Sequence, residues 1–288
     1  MIEGQFTGHD GVSLFRRTWP AAGAPRGLLI NLHGLGDHSG LYPTVSGHFT
    51  ARSFAVHAFD LRGNGRSPGR RGHVGAWREY REDLRCFVGA IRAETPGLPL
   101  FILGHSLGGL VVLDYALHYA EGIRGVLASA PPLGRLGVPA PLLLLGRFAS
   151  RVWPSFSLET GMDLSGLARD PAIAAEVLAD PLFHRRGSAR LSTEVAATIA
   201  RVQAGAARFP LPLLLLHGSA DRMVPPDGSR EFVARARGRD VRLIEYGGAY
   251  HALFADQGRE RVLADVEEWI LAHMSPPRGT GHGGGPAS

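Results

Sequence analysis

The feature that most constrains this chain is a series of short, almost wholly apolar runs, each about the length of a strand. Gly27-Leu28-Leu29-Ile30-Asn31-Leu32 is the first, and others lie at 55–59, 100–103, 125–129, 213–216 and 241–245. A strand with one face in water alternates apolar and polar residues. These do not alternate, so both of their faces must be buried, as in a parallel sheet covered on each side. Helical periodicity fills the gaps at 77–92, 108–120 and 258–273, the last placing Val262, Leu263, Val266, Trp269 and Ile270 on one face. The expected class is α/β, a mostly parallel central sheet with helices on both faces.

The alternation breaks between 131 and 208. There the chain turns Pro- and Leu-rich (Pro131-Pro132, Pro139-Ala140-Pro141, then four leucines) before helical pieces near 172–178 and 192–206. An inserted helical cap over the C-terminal ends of the strands fits this pattern. The expected division is therefore a core in two parts, 1–130 and 209–274, a cap at 131–208, and a Gly/Pro/Ser-rich disordered tail at 275–288.

Composition narrows the function. Of 288 residues 44% are hydrophobic and 20% charged, which suits a folded domain with a large core. The net charge of +5 raises the question of nucleic acid, and since lysine is absent all 31 basic residues are arginine. They are scattered among acids, and the short runs Arg70-Arg71 and Arg185-Arg186 lack interleaved aromatic residues. A solvated basic surface is expected rather than a nucleic-acid interface, with mild attraction to anionic lipid as a secondary possibility. A single cysteine, Cys86, forms no internal disulfide, and the first residues show neither a basic n-region nor an apolar h-region. The longest apolar stretch, 138–146, is too short to span a bilayer. A cytoplasmic location is expected.

The chemistry begins at Gly104-His105-Ser106-Leu107-Gly108, between the run at 100–103 and a helical pattern. A nucleophile carried on a sharp strand-to-helix turn sits in strained dihedrals, and only small residues two positions either side let the backbones approach. The turn also sets the Ser106 hydroxyl at the positive end of the helix. A chance Gly-Ser-Gly turn is the alternative; the strand before and the helix after favour the nucleophile. A serine hydroxyl needs a base, and the base needs a partner that fixes its tautomer. Asp221 leaves the run at 213–216 in His217-Gly218-Ser219-Ala220-Asp221, and Asp227, in Pro225-Pro226-Asp227-Gly228, is its competitor and better suited to a structural turn. Of the 13 histidines, His251 alone combines a loop after the last strand with the chain order serine, acid, histidine. A tetrahedral intermediate further needs two preorganised N–H donors. Leu107 follows the nucleophile and gives one; His33-Gly34-Leu35-Gly36 gives the other, most simply through Leu35. His33 reads as a brace for this loop, and the Asp60-Leu61-Arg62-Gly63-Asn64-Gly65-Arg66-Ser67 turn as structural.

With these residues in view the sequence resembles the monoacylglycerol lipase and lysophospholipase branch of the α/β-hydrolases. The resemblance runs from about Gly11 to Ile270. It is carried by His33-Gly34-Leu35-Gly36-Asp37-His38-Ser39-Gly40, the Ser67-Pro68-Gly69-Arg70 turn, Gly104-His105-Ser106-Leu107-Gly108-Gly109, Asp180-Pro181-Leu182, Gly218-Ser219-Ala220-Asp221 and Gly248-Ala249-Tyr250-His251. It implies an α/β-hydrolase fold, a mobile cap over an acyl tunnel, hydrolysis of single-chain lipid esters such as monoacylglycerol, and neither cofactor nor metal. Lysophospholipid or a general carboxylester stands as the alternative substrate. In the family the acid at the Asp37 position helps place the glycerol head; as a residue by itself Asp37 could equally cap a helix. The mammalian enzyme carries arginine and a second histidine where this chain has Leu41 and Phe254. A rival of another class is a hydrolase-like lipid or hormone sensor with slow turnover. Finally, Val138-Pro139-Ala140-Pro141-Leu142-Leu143-Leu144-Leu145, followed by Phe148, Trp153 and Phe156, either packs the cap onto the core, lines the acyl tunnel or rests on a lipid aggregate with Arg147 and Arg151 near head groups.

Overall fold

The structure, a computed structural model, describes residues 1–134 and 140–275, and of 140–145 the backbone alone. Val138, Pro139, the side chains of the four leucines at 142–145 and, after its first residue, the expected disordered tail lie outside the described residues.

The chain opens with a hairpin, β1 (Ile2–Thr7) and β2 (Ser13–Trp19), then enters β3 (Gly27–Leu32), α1 (Pro43–Thr50), β4 (Phe54–Phe59) and α2 (Trp77–Glu94). There follow β5 (Leu100–His105), α3 (Leu107–His118) and β6 (Gly125–Ser129). After an excursion come β9 (Leu213–Gly218), α7 (Asp227–Arg235), β10 (Val241–Tyr246) and α8 (Arg259–Ala272). The excursion itself holds α4 (Ala140–Val152), β7 (Ser157–Glu159), α5 (Pro171–Ala179), β8 (Arg186–Ser188) and α6 (Ala189–Gly205). The eight-stranded sheet has the order β1-β2-β4-β3-β5-β6-β9-β10. In this sheet β2 pairs antiparallel with both β1 and β4, and the remaining pairings, β4-β3-β5-β6-β9-β10, are all parallel; β7 and β8 form a separate antiparallel pair.

Five of the six apolar runs behave as their lack of alternation demands; the sixth, at 241–245 in β10, is at the sheet edge with no residue fully buried, in keeping with the charges of Arg242 and Glu245. In β3 through β6 and in β9 all residues are buried, with successive side chains going to opposite layers. Leu28, Ile30, Ile102, Val126 and Leu213 face one layer, with Leu84, Phe87, Leu110 and Leu113 from α2 and α3. Leu29, Phe101, Leu103 and Leu214 face the other, with Val45 and Phe49 from α1 and Val266 and Ile270 from α8. Helices therefore cover both faces, as expected. The strands run two residues past two of the predicted ends, to His105 and Gly218, and these ends carry the site. The excursion is less detached than an insertion implies: Leu191, Ile199 and Val202 of α6 are buried in the first layer's core.

Candidate active site

Ser106 stands between β5 and α3 with φ 51° and ψ −119°, left-handed backbone that a serine rarely adopts. The flanking glycines explain how the turn is tolerated. A Cβ on Gly104 would collide with the carbonyl of Gly108, and one on Gly108 with those of Leu32 and His33. The Ser106 N–H donates to the Ser129 carbonyl at the end of β6 (2.8 Å), which fixes the turn against the sheet. The hydroxyl is thereby presented at the N-terminus of a 12-residue helix.

The end of β9 and the loop after β10 supply the other two groups. His251 Nδ1 donates to Asp221 Oδ2 at 2.7 Å, and both side chains are buried. Oδ1 of Asp221 accepts from the N–H groups of Met223 and Val224, each at 2.9 Å. Burial by itself would raise the Asp221 pKa; hydrogen bonds from His217 and His251, the charge of His251 and the Val224 amide outweigh it and hold the carboxyl well below the usual range. With its Nδ1–H committed to a carboxylate, His251 has Nε2 left to accept a proton. Asp227 is elsewhere: it is the first residue of α7 rather than part of an open turn, and pairs on the surface with Arg230 at 2.8 Å.

The loop after β3 brings Leu35 and Asp37 to the same place. Among the described residues neither the Leu35 nor the Leu107 N–H donates to a protein acceptor. Asp37 caps no helix; the short turn that follows is capped by His38, whose Nδ1 accepts from the Gly40 N–H. Instead Asp37 Oδ2 accepts from the Tyr42 hydroxyl at 2.8 Å. His33 braces the loop: Nε2 accepts from the Leu61 N–H (2.9 Å) and Nδ1 donates to the Gly34 carbonyl (2.7 Å). Its burial lowers its pKa, so it is neutral, as two such bonds require. Asp60 organises the adjacent turn by accepting from the Ser39 N–H and hydroxyl and from the Arg66 N–H.

Ser106, His251, Leu35 and Asp37 border one open cavity. Its core side adds Leu41, Tyr42, Met223, Ala252 and Phe254, and the excursion closes it with Met162, Leu164, Leu167, Ile173, Val177 and Phe183. Leu41 and Phe254, the two departures from the mammalian pattern, thus both fall inside it.

Comparison with known proteins fits this geometry. Residues 23–258 match the family described as serine aminopeptidase, S33. The chain is similar to the monoacylglycerol lipase of Mycolicibacterium smegmatis, 34% identical over 281 residues that cover 94% of this chain and 98% of that one. The chain belongs to the monoacylglycerol lipase branch of the α/β-hydrolases. Among solved structures of this branch it is similar to the monoacylglycerol lipase of Paleococcus ferrophilus, with TM-score 0.82 and 35% identity over 90% of this chain and 99% of that one. It also matches a soluble variant of Saccharomyces cerevisiae monoglyceride lipase in complex with a substrate analogue, with TM-score 0.84 and 26% identity over 94% and 95% of the two chains.

Several residues of this lipase-branch site are not singled out by the sequence reading. His105, inside the Gly-X-Ser-X-Gly run itself, lies with its ring 4.7 Å from that of His251 and is kept neutral by burial first and by His251 second. His217 sits 3.5 Å from Asp221 Oδ2 and is held by the Val224 carbonyl (2.8 Å) and the Ser229 hydroxyl (3.0 Å). Its signal was its position, the next to last residue of a buried strand four places before Asp221. Of the six cavity residues of the excursion only Ile173 and Val177 share a helix, and the other four follow no common period, so periodicity could not find the set.

Proposed function

We propose that this chain hydrolyses monoacylglycerol to glycerol and fatty acid through an acyl-enzyme on Ser106. The observation that supports it most is the Asp221–His251 pair beside a strained Ser106, on the wall of an apolar cavity where, among the described residues, Asp37 is the one carboxylate outside that pair. Ser106 Oγ attacks the ester carbonyl as His251 Nε2 takes its proton, and the Leu35 and Leu107 N–H groups stabilise the oxyanion. The intermediate collapses as His251 gives that proton to the glycerol oxygen. Water then attacks the acyl-enzyme with His251 again as base, releasing the acid and restoring Ser106.

In this reading 131–208 is the cap, 1–130 and 209–274 are the core, and Asp37 receives a hydroxyl of the glycerol head. The acyl chain lies along the Met162–Phe183 side of the cavity. The cap also touches lipid surfaces. Phe148, Val152, Trp153 and Leu158 are each at least 60% exposed, more apolar surface than one short segment leaves in water without use, with Arg147 and Arg151 beside them. Among the described residues no helix is long and apolar enough to cross a membrane, and the proposed location is the cytoplasm.

The test compares monoacylglycerol, lysophosphatidylcholine and triacylglycerol at matched chain length, with wild type and Ser106→Ala. Monoacylglycerol should give the highest kcat/KM, and Ser106→Ala should lose both hydrolysis and fluorophosphonate labelling while its Tm is kept. Labelling that persists in Ser106→Ala removes the nucleophile; a preference for lysophosphatidylcholine changes the substrate. Negligible turnover even of a p-nitrophenyl ester points to the sensor.

A further inference from the structure

Tyr42 is buried beneath the site, and its hydroxyl makes two bonds to one loop. It accepts from the Gly34 N–H at 3.2 Å and donates to Asp37 Oδ2 at 2.8 Å. Gly34 directly precedes Leu35, whose N–H is the proposed oxyanion donor, and Asp37 is the proposed head-group carboxylate. The phenol therefore closes a ring across the loop between its two working parts. The direction of these bonds is fixed. A backbone N–H can only donate and a carboxylate only accept, so the hydroxyl must take one bond and give the other. Burial, and then the neighbouring Asp37 charge, push the Tyr42 pKa well above the ordinary phenol value, so the proton stays on the hydroxyl at any working pH.

The ring is also held independently of the hydroxyl. It packs in the layer with Leu29, Val45 and Phe49, and its centroid is 6.0 Å from that of His105, the neighbour of Ser106. Space at Gly34 leaves little slack. A Cβ there would lie 3.1 Å from Asp37 Oδ2 and 3.2 Å from the Ser106 Cβ, so nucleophile, loop backbone and carboxylate share one packed volume. Only one oxygen of Asp37 is taken by Tyr42, which leaves the other for a substrate hydroxyl.

We propose that Tyr42 is a positioning residue that ties the oxyanion loop and the head-group carboxylate into one unit, so that the geometry for the acyl carbonyl and that for the alcohol are set together. This rests on the ester-hydrolase reading above. Two consequences separate it from ordinary packing. Loss of the hydroxyl frees the loop for every ester, and it frees the carboxylate only for esters that have a hydroxyl to offer it.

The experiment measures kcat and KM for wild type, Tyr42→Phe, Asp37→Ala and the double variant on a monoacylglycerol and on the methyl ester of the same fatty acid. Tyr42→Phe keeps the packed ring. It should lower kcat about tenfold on both esters, the scale of one hydrogen bond, and raise KM about fivefold for the glyceride alone. In the Asp37→Ala background the same change should repeat the kcat loss and add nothing to the difference in KM. An active wild type with Tyr42→Phe unchanged in kcat on both esters overturns the proposal, even if Tm falls, because packing alone then accounts for the residue. A KM effect equal on the two esters overturns the link to Asp37. A wild type that hydrolyses neither ester overturns the hydrolase reading, and this proposal with it.

Discussion

Asp221 keeps its charge where water barely reaches, because both of its oxygens are spoken for. Two amides hold one oxygen and His251 takes the other. An asparagine of the same shape would offer an N–H where His251 needs an acceptor, and the imidazole would turn to the wrong tautomer. Asp221→Asn should therefore cut kcat by about 10⁴-fold. Asp227→Asn should change it by less than about tenfold, since an exposed pair with Arg230 contributes little. Steady-state kinetics of the two variants on one soluble ester decides the matter, and the opposite ranking would reassign the acid. The difference between these two aspartates was legible in sequence only as a strand exit against a Pro-Pro-Asp-Gly turn. Tyr42 gave no such signal, since its bonds reach back across eight residues to Gly34 and five to Asp37.

At the scale of elements, the cavity side of the excursion is built from α5 and the segments flanking it. Ile173 and Val177 are one turn apart on α5 and share a face, so both reach the cavity. Each methylene of an acyl chain buried there contributes about 0.8 kcal/mol. Ile173→Asp should accordingly lower kcat/KM steeply for a long-chain monoacylglycerol and by little for a butyrate ester. Equal losses on the two, with a lowered Tm, would mean that this helix is ordinary packing. The side chains of the leucines at 143 and 144, which sequence offered for that role, lie outside what the structure describes, while Phe148 and Trp153 after them are exposed rather than lining the cavity. Sequence could see that the insertion was too apolar for its flanks, but not which part faced inward. The sheet was far more legible, because burial on both faces leaves an unbroken apolar run. The β1–β2 hairpin went unread for the converse reason: it is half exposed, and burial along β2 is neither continuous nor alternating.

For the molecule as a whole, acid is the condition to watch. Burial lowers the pKa of His33 and His105, and that of His57 falls from 6.5 to about 4. These rings fold neutral, so as pH drops through 6.5 the unfolded chain binds protons that the native state refuses. Stability is complete above about pH 6.5 and declines towards pH 4, where His57 alone accounts for about 3 kcal/mol. Urea denaturation at pH 7.5 and 5.0 should show that decline, and His57→Gln should reduce it by about 2 kcal/mol. Identical slopes in wild type and variant would rule His57 out as a contributor. The seam between excursion and core has a different consequence. His184 donates from its N–H to the Gly36 carbonyl (3.1 Å), and its ring reaches Asn64 (3.0 Å). His38 meets Asp180 (3.0 Å), the Ser188 N–H donates to Gly72, and Arg169 grips Asp256 (2.9 Å). Gly36 must remain glycine, because a Cβ would collide with the His184 carbonyl. A breeder of chimaeras who cuts at 131 and 208 would consequently sever these five matched pairs and others, such as Trp77 with Glu194 and Arg201 with Asp114. The heritable piece is larger than the visible lobe: it includes the loops at 33–42, 60–72 and 249–256, and grafts that carry these along with the lobe are the ones that should fold and turn over.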